Sequence, residues 1–116
     1  MMTEAKIEIL LHLMQWAVAL TGYEYPAEMP MVVYAPHSYF VETVCEGVDT
    51  EKEPCVVRAM YDDETDGRIY LNTKYYKING EWTPYMRGII LHEMVHYLQD
   101  MSGRWDGYQD WEDSKL

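Results

Sequence analysis

Apolar and polar residues fall into blocks along this chain, and the spacing inside each block assigns it to an element. From 3 to 21 the chain is apolar almost throughout, with Glu8, His12, Gln15 and Ala19 on one narrow stripe. That spacing predicts a helix capped by Thr3 and ended at Gly22. Leu10, Leu13, Met14, Trp16 and Leu20 cover the rest of its circumference, so the helix is expected to be mostly buried, in its own domain or against a partner. The proline-bounded run 31–34 reads as a strand, and 36–45 as a short helix with Tyr39, Val41, Val44 and Cys45 on its inner side. Runs 56–61 and 68–72 read as two strands joined through Asp66-Gly67, a hairpin signal. Segments 47–54 and 74–81 are polar and turn-rich, hence loops. The acidic turn 62–67 lacks the twelve-residue ligand spacing of a calcium loop.

The last long block is a helix with both ends marked. Thr83 is its N-cap and Pro84 suits the first helical position, where no N–H is needed. Gly103 marks its stop. Within it lies His92-Glu93-Met94-Val95-His96. Residues four apart share one face of a helix, so His92 and His96 aim their imidazoles at a single point. Two neutral imidazoles so placed suit a zinc ion, with Glu93 about 100° further round as a general base for a metal-activated water. Tyr85, Gly88, Ile89 and Gln99 share the metal face, while Ile90, Met94, Leu98 and Met101 face the core. Gly88, one turn before His92, leaves room for another backbone or a substrate.

These five residues resemble the His-Glu-x-x-His signature of the zincin metallopeptidases. The strict match covers five residues, and about 20 with the helical context. The resemblance implies an α+β, zincin-like fold over residues 1–116: an N-terminal helix, a small sheet with a hairpin, the motif helix, and a short C-terminal helix near 108–116. It implies a Zn2+-dependent peptidase whose extended peptide or protein substrate is added to a sheet edge, supplied by either 31–34 or 68–72. Such a site needs a third protein ligand. The metzincin extension is excluded, because Gln99 and Ser102 stand where Gly and His are needed. The gluzincin pattern points to Glu112, the last glutamate of the chain, with Asp106, Asp110, Asp113 or a residue beyond 116 as competitors. Asp100 lies near the metal face, but three ligands in a line along one helix make poor tetrahedral geometry, which leaves it supporting the site from behind. Tyr108, Tyr85, His37 and Arg104 are candidates to stabilise an oxyanion; Tyr97 lies on the wrong side. The competing reading is an inactive zinc-binding domain that docks a protein partner, or a second copy, through its N-terminal helix.

Composition narrows the partners. A net charge of −11 disfavours nucleic acid. Glu8, His12 and Gln15 interrupt the first apolar block, so it is not a membrane span, and the N-terminus shows no basic n-region. Cys45 and Cys55 are too far apart for a close metal-binding pair and are expected as free thiols in a cytoplasmic, reducing setting.

Overall fold

The computed structural model describes residues 3–5, 7–45, 55–63, 67–78 and 80–103. Among them the chain forms β1 (Thr3–Glu4), α1 (Ile7–Thr21), β2 (Val32–Ala35), α2 (His37–Thr43), β3 (Ala59–Asp62), β4 (Arg68–Asn72) and α3 (Pro84–Met101). The four strands make one sheet in the order β1-β2-β4-β3. β1 pairs antiparallel with β2, β2 parallel with β4, and β4 antiparallel with β3 through the expected hairpin. The α+β class is thus as expected.

Alternation along the strands sorts the side chains into two layers. Val32, Tyr34, Tyr61, Ile69 and Leu71 face α1 and α3, joined by Leu10, Leu13, Met14 and Ala17 of α1 and Ile90, Met94 and Leu98 of α3. Val33, Ala35, Met60 and Tyr70 face α2, whose anchor is the fully buried Phe40. The expected inner side of α2 therefore needs correction: Val44 is exposed, and Phe40 takes the central place.

Three other expectations change. Thr3 does not cap a helix; it and Glu4 pair with Tyr34 and Val33, and α1 begins only at Ile7. The edge of β2 offers main-chain hydrogen bonds that a frayed first helical turn cannot match. Second, α1 is not enveloped: Trp16 is 67% and Leu20 62% exposed. Third, neither 31–34 nor 68–72 is an edge. β2 and β4 are the two central strands, and the sheet ends at β1 and β3.

Cys45 and Cys55 are bonded to each other rather than free, with their Cα atoms 6.0 Å apart. This removes the thiol argument for a reducing compartment. No described helix is long and apolar enough to cross a membrane. The bridge spans a sequence separation of 10. Closing a loop of that size constrains the unfolded chain by about 3 kcal/mol. Reduction, or Cys55→Ser, is expected to lower the melting temperature on the order of 10 °C, read by calorimetry with and without reductant.

Candidate metal centre

The long helix is built as its ends foretold. Thr83 accepts a hydrogen bond from the Met86 N–H at 3.2 Å, Pro84 follows at the first position, and Gly103 closes the helix at φ 76°. Its middle is less one-sided than expected. Every residue from Glu93 to Gln99 is buried, so two turns of α3 are covered all round. Ile90, Met94 and Leu98 are core residues as expected, but Met101 is 54% exposed.

The motif residues meet as the spacing requires. The Nε2 atoms of His92 and His96 face each other at 3.1 Å. Two imidazole nitrogens each about 2.05 Å from one tetrahedral zinc lie about 3.3 Å apart, so the pair is set for a shared metal with little adjustment. His96 is fully buried, and its Nδ1 lies 3.1 Å from Gln99 Oε1. An amide oxygen only accepts, so Nδ1 holds the proton and Nε2 turns its lone pair toward His92, the nitrogen a metal would take. Burial drives the His96 pKa down to about 4; the Gln99 bond opposes this and the neighbouring His92 adds to it. The ring is therefore neutral near pH 7, as a ligand must be.

Glu93, the residue after His92, reaches the sheet edge. The bond from Asn72 N–H to Arg58 O makes Arg58 and Asn72 a hydrogen-bonded pair. By alternation Met60 and Asp62 also bond β4, while Ala59 and Tyr61 turn their main-chain groups away from it. Glu93 takes a main-chain hydrogen bond from Tyr61. Its other oxygen, Oε2, is buried with no hydrogen-bond partner. Burial raises the Glu93 pKa to about 8, against the pull of the Tyr61 N–H. A carboxyl this dry holds its proton near neutral pH, and a neighbouring cation would have to draw that proton off before the group could act as a base.

Two tyrosines frame this carboxylate. Tyr76, fully buried, donates to Met86 O at 2.8 Å; burial and then the charge of Glu93 raise its pKa. Tyr61 donates to Asp100 Oδ2, tying the last turn of α3 to β3. Asp100 is thus engaged by Tyr61. Neither tyrosine was among the sequence candidates, because nothing local marks them; only the sheet order brings them to α3.

Other candidates separate from the site. His37 opens α2 on the opposite layer, where its Nδ1 lies 2.9 Å from Asn72 Nδ2. Tyr85 is exposed, with the Arg58 guanidinium 5.6 Å from its ring centre. Tyr97 donates to Glu28 O at 2.6 Å, away from the histidines as expected. Glu112, Asp106, Asp110, Asp113, Arg104 and Tyr108, and the short helix near 108–116, lie outside the described residues. Among the described residues no group of three or more His, Cys, Asp or Glu side chains is gathered for a metal.

Gln99 gives the site its clearest local test. Partners that orient a ligating imidazole typically carry 10–100-fold in metal affinity, roughly the loss expected for Gln99→Ala in a competitive zinc titration. Gln99→Glu, which keeps an acceptor, is expected to retain affinity. Comparison with family models, with curated proteins and with solved structures returns no match.

Proposed function

We propose that this chain is a zinc-dependent metallopeptidase of zincin-like construction. The observation that carries the reading is the convergence of His92 Nε2 and His96 Nε2 at 3.1 Å, beside a buried carboxylate with an uncommitted oxygen. The donor set fits zinc: two imidazoles, one of them neutral with its tautomer fixed by Gln99. Glu112 remains the proposed third ligand by resemblance to the gluzincin pattern.

When bound, zinc supplies an acidified water and polarises the scissile carbonyl. The protein's residues do the rest. His92 and His96 hold the ion. Gln99 keeps His96 oriented. Glu93 Oε2 accepts the proton of the attacking water and returns it to the leaving amine, so the carboxylate ends as it began. The dry surroundings that raise its pKa also strengthen its attraction for that proton.

Substrate is proposed to lie as an added strand along β3. No strand pairs with that side of β3 among the described residues. A groove of about 510 Å³ runs beside it, between Val57–Asp62 and the Thr43–Val44 end of α2. Main-chain pairing there would use the outward groups of Ala59 and the Tyr61 carbonyl, next to the Tyr61 N–H that Glu93 takes. The reading is tested with an internally quenched peptide library. Hydrolysis is expected to stop on chelation and to return when zinc is restored. Hydrolysis unaffected by chelation contradicts it.

A further inference from the structure

α3 holds a glycine that its own chain does not explain. Gly88 sits inside the helix without a positive φ, so no backbone conformation demands it. Nor does packing, because a Cβ at this position would meet no atom within 4 Å. Glycine is the least favourable residue after proline in a helix interior. Its bare surface is the floor of a groove of about 420 Å³ between α1 and α3, walled by Leu13 and Trp16 on one side and Leu91 on the other. Trp16, a large apolar side chain on the rim, is left two-thirds exposed.

The charge around this groove is opposite to that of the chain. The protein has 20 acidic residues and a net charge of −11, yet among the described residues no acid lines the groove. Its polar lining is His12 and Arg87. Among the described residues the Arg87 guanidinium makes one hydrogen bond, from Nε to Trp82 O at 3.0 Å, and it carries two further amino groups that can donate. A volume of that size takes two or three side chains rather than a whole helix.

We propose that the α1–α3 groove is a docking site for a peptide segment that carries large apolar side chains next to a carboxylate. The apolar side chains rest on Gly88 between Trp16 and Leu91, and the carboxylate pairs with Arg87 in the two-pronged geometry a guanidinium offers. The glycine then has a reason: the ligand occupies the space a side chain would fill. The groove lies one helical turn from His92 along α3, but the proposal uses neither histidine and does not depend on the hydrolase reading.

The test uses the intact, isotopically labelled chain and two capped tetrapeptides, each a Trp-Leu pair flanked by glutamates or by lysines. The glutamate peptide is expected to shift the Trp16 indole and Gly88 amide signals and to bind about tenfold more tightly than the lysine peptide. Gly88→Leu fills the groove and is expected to weaken binding about tenfold or more without lowering the melting temperature. Arg87→Gln is expected to bring the two peptides to equal affinity. Absence of binding, equal binding of both peptides to wild type, or undiminished binding to Gly88→Leu overturns the proposal. So does concentration-dependent dimerisation that Gly88→Leu abolishes, which would give the groove to a second copy. Every readout here is independent of zinc, so this proposal and the hydrolase reading fail separately.

Discussion

Glu93→Gln is expected to lower peptide hydrolysis by about 10²–10⁴-fold while leaving bound zinc unchanged. The amide keeps the shape of the carboxylate and can still accept from the Tyr61 N–H, so the fold around β3 has no reason to move. What it loses is basicity at Oε2, the atom with no other hydrogen-bond partner. A loss of zinc in this variant would mean that Glu93 serves the metal rather than the water. Full activity with zinc retained would remove Glu93 from the chemistry.

The same substitution is expected to change how stability depends on pH when zinc is chelated. Glu93 has its folded pKa raised from 4.5 to about 8. The folded state therefore holds a proton that the unfolded state releases. The stability linked to that proton is complete below about pH 4.5 and is lost as pH rises through about 8. His96 acts in the opposite sense, its pKa falling from 6.5 to about 4. Burying it neutral costs stability at low pH, and that cost disappears as pH rises to 6.5. The two contributions offset each other between about pH 4.5 and 6.5, and above that only Glu93 remains. Each pKa unit is worth about 1.4 kcal/mol, so the chelated wild type is expected to lose about 2 kcal/mol between pH 6.5 and 8. Glu93→Gln has no such charge to bury and should not share this loss. Urea unfolding at several pH values measures it, and parallel curves for the two proteins would contradict the burial account of Glu93.

This behaviour places the candidate site among those where function and stability diverge. A buried carboxylate with one unpaired oxygen weakens the fold at alkaline pH. Its retention inside the best-packed stretch of α3 is understandable if the proton it takes comes from substrate chemistry.

The legible parts of this molecule are those set by local rules. α3 could be read from Thr83, Pro84 and Gly103, and the hairpin from Gly67, because caps and turns are decided within a few residues. The facing of His92 and His96 is likewise a matter of helical pitch. Strand order is not local, and there the reading failed. The runs at 31–34 and 68–72 look like any strand in sequence, and only their mutual parallel pairing places them at the centre. Thr3 and Glu4 read as a helix start because their strand partner lies thirty residues away. The main-chain bond from Tyr61 to Glu93 and the bond from Tyr61 to Asp100 follow from β3 being the edge, so they were out of reach with it. Trp16 departs for another reason: apolar character alone does not bury a side chain, and the groove beside it leaves the ring in solvent.

The central claim is that His92 and His96 form a zinc site, and metal content tests it most directly. Wild type, His92→Ala and His96→Ala are purified, loaded with excess zinc, desalted and analysed by mass spectrometry of the metal. The account expects about one zinc per wild-type chain and almost none in either variant, since a site of this kind depends on each of its few protein ligands. Zinc absent from the wild type after loading, or retained in full by both variants, would contradict it.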